Sequence, residues 1–313
     1  MKKVIPDKKF KCLVCKNANY DILDLAVRET GYKILQCKNC NLRQLFKENL
    51  YNTKNYYEND TQDSLSFKYT NITKIEQINH RHCETKNRAK IIQNIISNKK
   101  DEIHIIDIGG GYGDLLNEIK KINIKMDLLE PRKLKDIFYT KNNINLINSF
   151  FNEKFVENNK NKYDIVICCH TLEHLKNPVE FLKNIKQIMK KKSHLFLEVP
   201  NDDLDLIKIC KKYSKNVNYI EPHLSYFTPE TLKYTLNKAG LLNATIKGSQ
   251  TYGYQNYQDI KNNGFKFKKN IKEHAFVKKL LLTDVLSQGA VLVGLFALYT
   301  SRNLINFLGE TPL

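Results

Sequence analysis

Four cysteines near the N-terminus form two Cys-x-x-Cys pairs, a spacing that is typical of metal ligation. Cys12 and Cys15 form the first pair, and Cys37 and Cys40 form the second. Four thiolates complete the tetrahedral shell that zinc prefers and leave no open position for a substrate, so we predict a structural zinc site. A redox or disulfide role is the alternative, and a reducing compartment disfavours it.

A glycine-rich turn follows an apolar run at residues 103–108. It contains Gly109, Gly110, Gly111 and Gly113 and precedes a helical segment. Glycine allows a sharp turn and a close approach of the backbone to a ligand, so this context predicts a nucleotide-binding turn. The spacing G-x-G-x-G differs from the G-x-G-x-x-G that seats a pyrophosphate on a helix N-terminus.

Two carboxylates flank this turn and favour a particular cofactor. Asp107 precedes it, where a carboxylate would repel a pyrophosphate but suits the cationic amino-acid end of S-adenosylmethionine. Glu130 ends the next predicted strand, where it can accept hydrogen bonds from both ribose hydroxyls. We therefore predict S-adenosylmethionine as the cofactor. Further candidate contacts are Pro131, Ser149 and Phe150, the last two for the adenine.

Strands and helices alternate from residue 102 onward and would position these residues. Apolar runs predict strands at 103–108, 125–130, 144–147, 163–168 and 194–199, and helical spacing predicts helices at 114–121 and 178–190. Strands that are apolar along nearly their whole length are typical of a buried parallel sheet. The fold class is therefore α/β, with a Rossmann-like sheet.

The glycine turn, Glu130-Pro131 and the segment 169–178 (Cys-His-Thr-Leu-Glu-His-Leu-Lys-Asn-Pro) resemble class I methyltransferases. The segment 221–232 resembles a narrower branch that joins a four-Cys zinc domain to such a core. That branch includes sugar C-methyltransferases and relatives that act on surface-polysaccharide or antibiotic precursors. The resemblance covers about residues 10–250. Those C-methyltransferases continue with a large extra domain that a chain of 313 residues does not accommodate, which favours O-methylation over C-methylation.

The resemblance implies a domain organisation and one further strand. Residues 1–50 would form the zinc-binding module, 51–100 a helical connector and 101–313 the methyltransferase domain. The class I sheet is mostly parallel with one antiparallel strand, inserted between the fifth and sixth. We assign this strand to the apolar run 290–298, with a buried or membrane-surface helix as the alternative.

The resemblance also implies candidate catalytic residues. Tyr219, Glu221 and His223 are similar to the cluster by which sugar C-methyltransferases deprotonate their substrate, although Pro222 adds one residue between the last two. His223 is either the general base or a residue that orders its loop. His170 is expected to contact the cofactor through its backbone. Glu173 and His174 are expected to be structural.

The formal charge of +18 raises the question of a nucleic-acid partner. Nearly all of the positive charge is Lys, and only six Arg occur, which weakens that interpretation because Arg is favoured for phosphate and base recognition. Cys168-Cys-His-Thr also stands where amino-group nucleic-acid methylases place an Asn/Asp-Pro-Pro-aromatic tetrapeptide. A small anionic substrate, phosphorylated or nucleotide-linked, is preferred. DNA is not expected, and RNA methylation is the alternative function.

Other function classes and the location follow from the remaining features. A non-catalytic scaffold is disfavoured because Asp107, the glycine turn and Glu130 are all present. The N-terminus has no apolar segment behind its lysines, and no run reaches about 18 apolar residues, so we expect a cytoplasmic protein without stable membrane insertion. The sequence leaves the oligomeric state open.

Overall fold

Two sheets organise the part of the chain that the structure describes. A computed structural model describes residues 10–23, 25, 27, 32–46, 74–97, 101–119, 123–131, 143–202, 219–220, 222–250 and 293–300. The smaller sheet contains strands β1 (Tyr20–Leu23), β2 (Lys33–Cys37), β3 (Arg43–Phe46) and β9 (Ser225–Tyr226). The larger contains β4 (Ile103–Ile108), β5 (Ile124–Leu129), β6 (Ile144–Ile147), β7 (Tyr163–Cys169), β8 (Met189–Pro200), β10 (Ala244–Gln250) and β11 (Val293–Thr300).

The larger sheet has the strand order β10-β11-β8-β7-β4-β5-β6. Strands β4 to β8 pair in parallel, while β11 is antiparallel to both β8 and β10. The prediction of an antiparallel strand inserted between the fifth and sixth is therefore confirmed, and within the described residues this strand covers Val293–Thr300. The Rossmann-like methyltransferase fold predicted from the sequence is confirmed as well.

Helices cover both faces of this sheet. Successive side chains of a strand point to opposite faces, so each strand can pack against helices on both sides. The helices are α1 (Lys74–Ile96), α2 (Asp114–Glu118), α3 (Glu153–Asn158), α4 (Pro178–Ile188) and α5 (Pro229–Lys238), with a 3₁₀ turn at Leu172–His174. Leu195 and Leu197 of β8 pack in the same buried cluster as Leu182 of α4. Phe196, between them, packs in the opposite cluster with Ile92 of α1.

The predicted element bounds hold within one residue for β4 to β7, whereas β8 begins five residues earlier than predicted and two helices end early. β4 and β6 occupy the predicted residues, and β5 begins one residue earlier than expected. α4 ends at Ile188 instead of residue 190, because Met189 is extended and pairs with Tyr163 of β7. α2 ends at Glu118 instead of residue 121, and the backbone of Ile119 is already extended.

The smaller sheet joins the N-terminal residues to a segment much later in the chain. β1, β2 and β3 form an antiparallel meander, and β3 then pairs with β9, which lies almost 180 residues later in the chain. Cys12, Cys37 and Leu42 belong to the same buried cluster as Phe227 and Leu232. The two sheets therefore share one core. Within the described residues, no helix has the length and apolarity needed to cross a membrane.

Candidate active site and metal site

The glycine turn at the carboxyl end of β4 depends on backbone conformations that other residues rarely adopt. Gly109, Gly111 and Gly113 have φ angles of 73°, 60° and 73°. A Cβ atom at Gly109 would lie 2.5 Å from Oγ1 of Thr171, and one at Gly110 would lie 2.4 Å from Cγ of Asp107. The side chains of Thr171 and Asp107 thus pack closely against the backbone of the turn, and only the hydrogen atom of glycine fits at Gly109 and Gly110.

Asp107 is a buried carboxylate directly below this turn. Its side chain is 2% exposed, and Oδ1 has no hydrogen-bond partner among the described residues. Burial raises the pKa of Asp107 to about 7; Glu130 adds to this effect and the positive charge of Arg88 opposes it. A buried carboxylate is costly unless a donor or cation satisfies it, so the position fits the ammonium group of an amino-acid ligand.

Glu130 is held against the same turn from the end of β5. Its Oε2 accepts a hydrogen bond from the backbone N–H of Gly111 at 3.0 Å, and its own N–H donates to the carbonyl of Ile147 at 3.1 Å. These contacts place the carboxylate at the carboxyl edge of the sheet, where ligands of open α/β folds bind. Pro131 follows directly.

Ser149 and Phe150 are half-buried and follow β6 at this same edge. The N–H of Ser149 donates to the carbonyl of Ile147 at 2.9 Å, and its hydroxyl donates to the carbonyl of Phe150 at 3.1 Å. The turn after β6 is therefore ordered by its own polar groups.

An ion-pair network that the sequence analysis missed joins α1 to β8 and to His170, the residue after β7. Nε of Arg88, on α1, donates to Oε2 of Glu198 at 2.9 Å, and Nη2 contacts Oε1. Nε2 of His170 lies 3.2 Å from the same Oε1. Glu198 interrupts the apolar run at residues 195–200 of β8, and this is the sequence signal that could have revealed the network.

The charges of this network are mutually stabilised. Burial opposes ionisation of Glu198, but His170 and Arg88 lower its pKa to about 2. The His170 side chain is 45% exposed, and its contacts with the Glu173 and Glu198 carboxylates raise its pKa above the ordinary value. Nη2 of Arg88 also lies 3.1 Å from Nε2 of His170, so both basic side chains meet at the Glu198 carboxylate. His170 has a positive φ of 52°, and its N–H donates to the carbonyl of Glu198 at 2.9 Å.

Glu173, His174 and His223 form an acid–base cluster beside that network. The imidazole rings of His174 and His223 meet edge to face, with centroids 4.8 Å apart. Nδ1 of His174 donates to the carbonyl of Pro222 at 2.9 Å, so this nitrogen carries the proton. Burial raises the pKa of Glu173, but His174, His170 and His223 together lower it to about 2. A buried negative charge therefore faces the imidazole rings.

The same cluster has a donor set that a divalent metal could use. One donor atom from each of Glu173, His174 and His223 lies within 4.8 Å of the others. His170 approaches the same carboxylate, with its Nδ1 3.5 Å from Oε1 of Glu173. Both carboxylate oxygens of Glu173 are buried without a hydrogen-bond partner among the described residues, so they can still accept an ion or a group that carries a proton.

Of the other two candidate catalytic residues, Tyr219 and Glu221, the structure describes only Tyr219. Tyr219 is fully buried, and its hydroxyl accepts a hydrogen bond from Nη1 of Arg43 at 3.3 Å. Its ring packs edge to face on Tyr226, with centroids 4.8 Å apart. Glu221 lies outside the described residues.

The four N-terminal cysteines converge as their spacing predicts. Sγ of Cys12 lies 3.5 Å from Sγ of Cys40, Sγ of Cys15 lies 3.4 Å from Sγ of Cys37, and all four sulfurs lie within 4.8 Å of one another. Sulfurs at about 2.3 Å from a shared tetrahedral ion are about 3.8 Å apart. The cluster therefore fits a four-thiolate metal site.

Tight turns aim these thiol groups at one another. The N–H of Lys16 donates to the carbonyl of Cys12 at 3.0 Å, and the N–H of Asn41 donates to the carbonyl of Cys37 at 2.9 Å. Lys16 and Asn41 have positive φ angles of 62° and 59°, which close the two turns in the same way. The two Cys-x-x-Cys pairs therefore have matching local geometry.

Known proteins of related structure share little sequence with this chain. No curated protein sequence matches the chain significantly. Solved structures with a similar fold include an S-adenosylmethionine-dependent methyltransferase from Archaeoglobus fulgidus, with 18% identity, a TM-score of 0.45, and coverage of 68% of this chain and 94% of that one. They also include the 1,6-didemethyltoxoflavin N1-methyltransferase of Burkholderia thailandensis, with 10% identity, a TM-score of 0.49, and coverage of 88% and 97%.

The sequence itself matches the family described as "Methyltransferase domain" over residues 76–246. This region contains the glycine turn, Asp107, Glu130 and the cluster around Glu173. Because the match spans more than half of the 313 residues, the chain belongs to the methyltransferase-domain family and is an S-adenosylmethionine-dependent methyltransferase.

Proposed function

We propose that the enzyme transfers a methyl group from S-adenosylmethionine to a hydroxyl of a small anionic acceptor. The proposed acceptor is a nucleotide-linked sugar or another phosphorylated precursor of surface polysaccharide. The observation that carries the proposal is the cluster of His223, His174 and buried Glu173 beside the cofactor turn.

The cofactor would be held by the two carboxylates and the glycine turn. Asp107, with a buried oxygen that lacks a described partner, would receive the ammonium group. Glu130 would accept from the ribose hydroxyls, and Ser149 and Phe150 would flank the adenine. S-adenosylmethionine supplies a methyl group on a positively charged sulfur, so orientation of the acceptor provides much of the rate.

A chain of contacts links His223 to the cofactor turn. Thr171 packs beneath Gly109, and Glu173 follows two residues later in the 3₁₀ turn. The carbonyl of Glu173 accepts the N–H of Leu224 at 2.8 Å, which holds the neighbouring His223 close to this turn. The acceptor would therefore lie between the glycine turn and His223.

His223 would act as the general base. Its imidazole would take the proton of the acceptor hydroxyl while that oxygen bonds to the methyl carbon, and the electrons of the breaking S–C bond would remain on sulfur. The charge on Glu173 would stabilise the imidazolium ion that forms, just as His223 helps to lower the pKa of Glu173. A neutral imidazole and a nearby carboxylate are sufficient for this step.

The surplus of positive charge supports an anionic acceptor. The formal charge of +18 would attract phosphate groups by long-range steering. The same charge also suits RNA, which remains the alternative substrate class. Zinc bound by the four cysteines would be structural in either case, because four thiolates leave no coordination site for a substrate.

The test is methyl transfer to a panel of nucleotide-linked sugars, unphosphorylated sugars and RNA. We expect transfer to a nucleotide-linked sugar, and we expect His223→Gln to lower kcat by about 10²–10⁴-fold without changing affinity for S-adenosylhomocysteine. His194→Gln, on β8, is the matched histidine control and should retain activity. Near-normal turnover in His223→Gln would contradict the base assignment. Methylation of RNA alone would overturn the substrate class.

A further inference from the structure

Strand β3 of the N-terminal module pairs directly with the segment that carries His223. Arg43 and Gln44 of β3 are opposite Tyr226 and Ser225 of β9. The N–H of Leu45 also donates to the carbonyl of Leu224 at 3.1 Å. We call residues 222–227 the acceptor loop. Its backbone forms the edge of the sheet that begins in the module.

The opposite side of the acceptor loop is fastened to the methyltransferase core. The N–H of Leu224 donates to the carbonyl of Glu173 at 2.8 Å, and the N–H of Asp202 donates to the carbonyl of Phe227 at 2.7 Å. Asn201 and Phe227 also form a parallel bridge. The acceptor loop is thus held between two surfaces, one of which belongs to the module.

The Arg43 side chain adds a second connection. Its Nη1 donates to Oδ2 of Asp202 at 3.0 Å and to the hydroxyl of Tyr219 at 3.3 Å. The Asp202 side chain is 1% exposed and Tyr219 is fully buried, so both hydrogen bonds are shielded from water. Charge-assisted hydrogen bonds of this kind are stronger than those between neutral groups. Arg43 therefore connects β3 of the module to two other segments. Through Asp202 it holds the residues just after β8, and through Tyr219 it holds the residues that lead into the acceptor loop.

The cysteine cluster in turn sets the position of β3. The N–H of Cys37 donates to the carbonyl of Leu42, which lies just before β3. Oε1 of Gln44 accepts from the N–H of Leu13, which lies between the first two cysteines. Both turns of the cluster are therefore bonded to β3 or to the residue before it. A change in the cluster would move the strand that supports the acceptor loop.

We propose that the four-Cys module acts as a brace for the acceptor loop, with Arg43 as a positioning residue for His223. The inference rests on the proposed role of His223 and deepens it, because it assigns the metal an influence on turnover. Loss of the brace should release the acceptor loop and lower kcat while leaving the cofactor turn intact. The hydrogen bonds given above for Gly111 and Glu130 connect the cofactor turn to β5 and β6.

The first test is hydrogen exchange of the acceptor loop in the full-length, metal-loaded protein. Arg43→Ala should increase exchange in residues 219–227 by about tenfold or more, because it removes both buried hydrogen bonds. Lys33→Ala removes the same charge from an exposed position on β2 and should leave exchange unchanged. Tyr219→Phe, which keeps the ring and removes one hydrogen bond, should give a smaller increase and covers the case in which Arg43→Ala fails to fold.

Binding and turnover separate this proposal from the function it rests on. Arg43→Ala should bind S-adenosylhomocysteine within about twofold of the wild type, and kcat should fall by about tenfold or more. Unchanged exchange at 219–227 in both folded variants would overturn the brace. If the wild-type enzyme methylates none of the proposed acceptors, the proposed function fails, yet the exchange result still decides the brace.

The metal provides the second test. The purified protein should contain about one zinc ion per chain, and Cys37→Ser should lose it. Chelation should increase exchange in residues 33–46 and in the acceptor loop together, with affinity for S-adenosylhomocysteine retained. An acceptor loop that stays protected after residues 33–46 lose protection would contradict the proposal.

Discussion

Gly109→Ala and Gly240→Ala form a matched pair that tests the geometry of the cofactor turn. Both glycines have positive φ, 73° and 78°, so alanine at either position costs about 1–2 kcal/mol in backbone strain. The entropy that alanine removes from the unfolded chain is common to both variants and cancels in the comparison. Any difference between them therefore reports the surroundings of the new methyl group.

The surroundings differ sharply between the two sites. At Gly240 the methyl group would meet only Nζ of Lys186 at 3.1 Å, the end of a flexible side chain on the surface. At Gly109 it would lie 2.5 Å from Oγ1 and 3.4 Å from Cγ2 of Thr171. Thr171 is β-branched and its hydroxyl is bonded to the carbonyl of Cys169, so it yields poorly. Overpacking of this kind costs about 1–3 kcal/mol more.

Thermal unfolding and calorimetry with S-adenosylhomocysteine measure the two consequences. Gly109→Ala should have a Tm lower than that of Gly240→Ala by about 2–12 °C, at about 2–4 °C per kcal/mol for a domain of this size. It should also bind S-adenosylhomocysteine about tenfold or more weakly, whereas Gly240→Ala should be within about twofold of the wild type. Equal stability and equal affinity in the two variants would refute the close packing of Gly109 on Thr171.

Three further predictions concern buried carboxylates. Glu130→Ala should weaken S-adenosylmethionine binding by about 1–3 kcal/mol in calorimetry, and unchanged affinity would refute the ribose assignment. Burial raises the pKa of Asp107 to about 7. Affinity for the cationic cofactor should therefore rise as the pH increases from about 5 to 7, because the carboxylate ionises over this range. Asp107→Asn should bind the cofactor weakly and should not show this rise. Asp127 accepts hydrogen bonds from Asn145, Lys162 and Tyr163, so Asp127→Ala should lower the free energy of unfolding by about 3–5 kcal/mol in urea titrations. The control Asp21→Asn loses only an exposed ion pair with Lys38 and should change the free energy of unfolding little.

Asp127 also gives the stability a defined pH dependence. Burial opposes its ionisation, but hydrogen bonds from His104, Asn145, Tyr163 and Lys162 hold the pKa of this carboxyl below its ordinary value of 3.8. A depressed carboxyl pKa contributes stability above the unfolded pKa and loses that contribution as the pH falls through the folded value. The wild type should therefore lose stability below about pH 4 more steeply than Asp127→Ala.

Local sequence patterns were sufficient to predict the elements that depend only on consecutive residues. The apolar run 103–108 and its glycine turn could be assigned because a buried parallel strand and a positive-φ turn each demand particular residue types. The two Cys-x-x-Cys pairs were informative for the same reason, since a tetrahedral thiolate site needs four cysteines in two short turns.

Contacts between distant segments could not be predicted in this way. Arg88 and Glu198 are 110 residues apart, and Arg43 and Asp202 are 159 apart, so no helical or strand period relates them. A two-residue strand such as β9 is too short to show an alternating pattern, and its pairing with β3 depends on where the core places the acceptor loop.

The sequence alone therefore determined the cofactor turn, the thiolate cluster and the segments that form the parallel strands, because each depends on local stereochemistry or on a continuous apolar run. Only the tertiary structure decided which charged side chains meet across the sheet and which strand supports the acceptor loop. Those outcomes depend on burial, which removes water as a competing partner and makes one arrangement of distant polar groups favourable.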